Sequence, residues 1–156
     1  MSKLKDRRLG VIELDEEGYG EVDLMVDGVA IKVTIDAPNE GGEGRESDVL
    51  RHAPKDLVAA ARRAIASDDH EDVALYLTHH FEEFDSGELD AILGEGTEHT
   101  AEALRGALGP IAIHLDPSND DEPVTVDVGF GLEVSNYVLA VRFDAAGVVA
   151  EVDMES

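Results

Sequence analysis

Apolar and polar residues alternate in twos near the start of the chain, adopt a helical spacing in the middle and return to strict alternation in the last third. A period of two marks strands and recurrence at three and four residues marks helices, so the pattern divides the chain into strand, helix and strand regions. Ile12 and Leu14 alternate with Glu13 and Asp15. After the turn "DEEGYG", Val22, Leu24 and Val26 alternate with Glu21, Asp23 and Met25, and a meander is expected. Asp27-Gly28 then separates two alternating runs, and this dipeptide suits the two positive φ values of a type I′ turn. Counting outward from it pairs Val26 with Val29, Leu24 with Ile31 and Val22 with Val33. The opposite face receives Glu21, Asp23, Lys32, Thr34 and Asp36. Residues 37–46, "APNEGGEGRE", show no periodicity and are expected to form a mobile loop.

The helical region spans residues 47–108. Pro54 suits a first-turn position, and Leu57, Ala61, Ala64 and Ile65 form a stripe with Arg62 and Arg63 outside it. A second helix is expected over about 70–84, a third capped by Ser86, and a fourth capped by Thr97 and containing Leu104 and Leu108. Strands follow at 111–115, 124–130, 137–144 and 148–155. "DAAG" fits a four-residue hairpin loop with Gly147 at a left-handed position, pairing Phe143 with Val148, Val141 with Ala150, Leu139 with Val152 and Tyr137 with Met154.

The expected fold is therefore a single α+β domain over residues 1–156: strands in 9–36, helices in 47–108 and strands in 111–155. A mainly antiparallel sheet of about seven strands would carry the central helical insert on one face. The uncovered face would hold Glu21, Asp23, Asp36, Asp127, Asp144, Glu151, Asp153 and Glu155, relieved by Lys32 and Arg142.

Composition sharpens this picture. The 36 acidic residues against 12 basic ones give a formal net charge of −24. Such a surface repels phosphate backbones, which excludes direct nucleic-acid binding, and it repels anionic membranes. The chain has no cysteine, so disulfides, thiolate metal sites and thiol nucleophiles are excluded. Lys3, Lys5, Arg7 and Arg8 precede "LGVIEL", which Glu13 interrupts before it reaches the length of a signal-peptide core, so a cytoplasmic location is expected.

The candidate chemistry centres on "YLTHHFEEF". At about 100° per residue, Val73, Leu77, Phe81 and Phe84 share one face. His80 lies beside them, and His79 is expected nearly opposite. His80 and Glu83 could supply two metal ligands, with His114 or Asp127 as a third, although neither HExxH nor a paired ExxH pattern occurs. The expected role of His80 is instead a partly buried hydrogen bond to Glu83 or to a backbone carbonyl. His114, between Ile113 and Leu115, should point away from the core, where acidic neighbours would favour its protonated form. "DPSNDDE" places Asp116, Ser118 and Asp120 at alternate positions but lacks the glycine and glutamate of a calcium loop. No phosphate-binding loop, nucleophile elbow or dinucleotide fingerprint is present, and no cofactor is expected.

The C-terminal runs "IAIHLDPSNDDEPVTVDVGFG" and "YVLAVRFDAAGVVAEVDMES", with the "HHFEEF" helix, resemble the bacterial family catalogued as domain of unknown function two-thousand-and-four. The resemblance covers about the last 90 residues and rests on hairpin features. It implies an α+β fold without an established activity and a role of the immunity or interaction kind, and it transfers no catalytic residue. The resulting expectation is a non-enzymatic protein whose acidic face binds a basic protein partner, an immunity-type toxin antagonist being one form of this, with a homo-oligomer through an edge strand also conceivable. Two alternatives stand beside it: acidity as halophilic adaptation, and a metal-dependent enzyme using His80 and Glu83.

Overall fold

A computed structural model describes residues 2–37, 43–46, 50–67, 69–119 and 121–156. Strands β1 (Ser2–Asp6), β2 (Gly10–Leu14), β3 (Tyr19–Val26), β4 (Val29–Asp36) and β5 (Glu43–Glu46) precede a single 3₁₀ turn, Leu50–His52. Helices α1 (Leu57–Ala66), α2 (Glu71–Glu83), α3 (Ser86–Leu93) and α4 (Ala101–Arg105) follow. Strands β6 (Gly109–Leu115), β7 (Val124–Gly129), β8 (Val138–Phe143) and β9 (Val149–Glu155) complete an α+β fold.

The strands form two sheets, not one. A six-stranded sheet has the order β3-β4-β6-β7-β8-β9 and a three-stranded sheet the order β2-β1-β5. All neighbours in the larger sheet are antiparallel except β4 and β6, which run parallel. β1 and β5 were not expected. Leu4 is the one large apolar residue of β1 and is fully buried, too sparse a signal for alternation to reveal. β5 occupies the end of the expected loop 37–46, and residues 38–42 of that loop lie outside the described residues. The expected meander also gives way to a change of sheet, since β2 pairs with β1. β2 still passes close over β3: a Cβ on Gly20 would lie 2.7 Å from the Glu13 carbonyl oxygen, which leaves room only for glycine.

The β3–β4 hairpin has the expected register, with Val26 opposite Val29, Leu24 opposite Ile31 and Val22 opposite Val33. Asp27 and Gly28 turn it with φ of 51° and 82°. The last hairpin departs from expectation. Its loop does place Gly147 at φ 83°, but β9 carries a bulge opposite Arg142 and Phe143. Phe143 therefore faces Val149, Val141 faces Val152 and Leu139 faces Met154, while Val148 is 61% exposed. The extra residue shifts the phase of β9 and returns Val152 and Met154 to the inner face.

Helix caps account for small shifts in the helix limits. Asp56, not Pro54, opens α1, its carboxylate accepting from the Ala59 N–H. Asp85 caps α3 in a reciprocal capping box with Glu88, which makes Ser86 its first residue. Thr100 caps α4, whereas Thr97 donates to the Leu93 carbonyl, and Leu108 lies beyond the helix. The helices and the small sheet share one core with the inner face of the large sheet, including Leu4, Leu14, Ile35, Leu77, Val126 and Phe143. Burying a side chain of this size stabilises the fold by about 1.5–3 kcal/mol. Among the described residues no helix covers the other face of the large sheet.

Candidate functional site

Strand alternation builds the uncovered face. Ile31, Val33 and Ile35 of β4 are buried, so Lys32, Thr34 and Asp36 project outward. The pairings of Thr34 with His114, His114 with Thr125 and Arg142 with both Thr125 and Glu151 continue that face across five strands.

At the β3 edge, the Tyr19 hydroxyl donates to Glu21 over 2.6 Å and Lys32 lies 3.0 Å from the same carboxylate. The Tyr19 hydrogen bond, followed by Lys32, lowers the Glu21 pKa, and the same bond raises that of Tyr19. Asp23 stands opposite Lys32 and Asp36 opposite Tyr19, and both are exposed.

In the centre, His114 Nδ1 lies 2.7 Å from Thr34 Oγ1 and Nε2 lies 2.9 Å from Asp127 Oδ2. The carboxylate accepts, so Nε2 carries a proton. Nδ1 accepts from the threonine hydroxyl when neutral and donates to it when charged, so the array survives titration without rearrangement. The Asp127 hydrogen bond raises the His114 pKa, against the effect of partial burial.

At the β9 edge, Arg142 gathers three carboxylates. Its Nε is 3.5 Å from Glu151 and 3.3 Å from Asp153, and its Nη2 donates to Glu155. One guanidinium does not neutralise this group: burial and then the neighbouring Glu151 push the Glu122 carboxyl up. Asp144 stands apart from the face, because its carboxylate accepts from the Ala146 and Val148 N–H groups and closes the hairpin loop.

Helix α2 serves another purpose. His80 is buried on the inner face among the rings of Tyr76, Phe84, Phe130 and Tyr137. Its Nδ1–H donates to the Tyr76 carbonyl over 2.8 Å, and Nε2 accepts from the Ser135 hydroxyl over 2.6 Å. Burial lowers its pKa and favours the neutral ring. The carbonyl bond agrees with expectation, but Ser135, not Glu83, takes the second nitrogen, and Glu83 is exposed.

The sheet separates His80 from His114, so the proposed ligand set His80, Glu83 and His114 does not come together. Among the described residues no group of three or more His, Asp or Glu side chains is placed to hold a metal ion. His79 is half-buried against Tyr137, with ring centroids 5.2 Å apart, and does not simply face solvent. Tyr76, absent from the expected apolar stripe, is fully buried and its hydroxyl donates to the Tyr137 carbonyl.

Comparison of the chain with family models, curated proteins and solved structures returns no match. Among the described residues no helix is long and apolar enough to cross a membrane.

Proposed function

We propose that the protein is a non-enzymatic interaction module whose uncovered sheet face docks a basic protein surface, the mode of action of an immunity-type toxin antagonist. The observation that carries this reading is the crowding of Glu122, Glu151, Asp153 and Glu155 around the single guanidinium of Arg142. Lysine and arginine side chains of a partner would supply the missing cations. Strand β9 holds Glu151, Asp153 and Glu155 in place, so little side-chain ordering of these three would be needed on binding. The field of the whole molecule would also speed encounter with a cationic partner. Glu21, Asp23, Asp36 and Asp127 would extend the contact toward β3, while Asp144 would contribute only charge.

Affinity capture from a lysate of the source organism tests this. The wild-type protein is expected to retain a basic protein that the triple variant Asp23→Lys, Glu151→Lys, Asp153→Lys does not. Equal retention by the two, with the variant folded by circular dichroism, would overturn the proposal.

A further inference from the structure

The inner side of the β3–β4 hairpin has a different chemistry. Between the small sheet and α1, the described residues leave the inner face at the turn end of the β3–β4 hairpin uncovered, opening a cavity of about 650 Å³. Its floor is apolar and includes Leu9, Leu24, Val26, Val33, Val58 and Ile113. Of these, Val33, Val58 and Ile113 belong to the buried core, whereas Leu9, Leu24 and Val26 are only half-covered. Leaving Leu24 and Val26 part-wet costs the fold burial that an apolar ligand would restore.

The rim is cationic in a chain that has few cations to place. Lys5, Arg7, Arg8, Lys55 and Arg62, five of the 12 basic residues, line this cavity or the one that adjoins it at Arg7 and Lys55. Arg8 is held by Asp6 at 2.9 Å and by the Leu50 carbonyl at 2.7 Å, so it acts as a fixed buried charge. Lys55 is exposed at the mouth, and Arg62 meets Asp27 at only 3.5 Å with both side chains largely in solvent. The other lining carboxylate, Asp56, is engaged in capping α1.

An apolar floor beneath a cationic rim selects one kind of small molecule. We propose that this cavity binds a single-chain amphiphilic anion, its hydrocarbon on the Leu24, Val26 and Ile113 floor and its carboxylate or phosphate head between Lys55 and Arg62. The volume lies within the usual range for ligand sites. With the net charge of −24 over the whole chain repelling anions, affinity would depend on these two cations and on the apolar contact together. The site lies on the inner side of the sheet and does not depend on the acidic outer face.

Calorimetric titration of the full chain, below micelle-forming concentrations, would use dodecanoate, dodecyl phosphate, dodecanol and inorganic phosphate. One of the two dodecyl anions, or both, should bind at a single site, with dodecanol and phosphate at least about tenfold weaker, because each lacks one half of the recognition. Preference between the two anions identifies the head group. Lys55→Glu with Arg62→Glu should abolish binding, and Ala59→Phe, which fills the cavity without altering charge, should do the same at an unchanged melting temperature. Absence of saturable binding by either anion, equal affinity for dodecanol, or full binding by Ala59→Phe would each overturn the proposal.

Discussion

Protonation of His114 is favoured by the Asp127 carboxylate, whereas protonation of His80 is opposed by burial, so the two histidines respond to pH in opposite senses. The raised folded-state pKa of His114 gives stability that is complete below the unfolded value of about 6.5 and is lost as pH rises through the folded value. For His80 the folded pKa is lowered. Its contribution is present above about 6.5 and is lost as pH falls through the folded value. Urea unfolding of His114→Gln and His80→Gln beside wild type across this range checks the signs. The wild-type advantage over His114→Gln should be larger in acid, and that over His80→Gln larger in mild alkali. The same charge bears on the proposed docking, since a protonated His114 places a cation at the centre of the face proposed to receive a basic partner.

At the scale of elements, the β8–β9 loop presses on the 3₁₀ turn that precedes α1. A Cβ on Gly147 would lie 2.0 Å from the His52 carbonyl oxygen, and the residue already sits at φ 83°. Gly147→Ala is therefore expected to cost at least about 2 kcal/mol, since left-handed strain and a backbone clash add together. A shift of the urea midpoint measures this, with Gly96→Ala as a control that carries a similar φ in open space.

Local chemistry made the elements legible. Asp27-Gly28 set the register of the β3–β4 hairpin to the residue, and the central alternation separated the acidic outer residues from the core. The bulge in β9 was not legible, because Val148, Val149 and Ala150 are consecutive apolar residues and the pattern does not say which of them faces inward. The Thr34–His114–Asp127 array was equally hidden. Each residue was on its expected face, but their meeting depends on β4 joining β6, a pairing between segments 80 residues apart that no local pattern encodes. Ser135 and the cavity rim were missed for the same reason: the side chains come from distant segments and share no motif.

On the scale of the whole molecule, a net charge of −24 implies self-repulsion that salt should relieve. Because the Debye length falls to about 10 Å near 0.1 M, most of the gain in melting temperature should be complete by about 0.2 M salt. A fold that instead required molar salt would favour halophilic adaptation as the reason for the acidity. Thermal melts across ionic strength decide between these.

The parallel seam between β4 and β6 also has a consequence in time. The hairpin and the C-terminal meander each contain only neighbour-to-neighbour pairings, so each closes short loops, whereas the seam must enclose the entire helical region. During synthesis β3 and β4 leave the ribosome long before their partner exists. The hairpin must wait with one edge unsatisfied, and the carboxylates along its outer face, which repel other chains, guard it until β6 arrives.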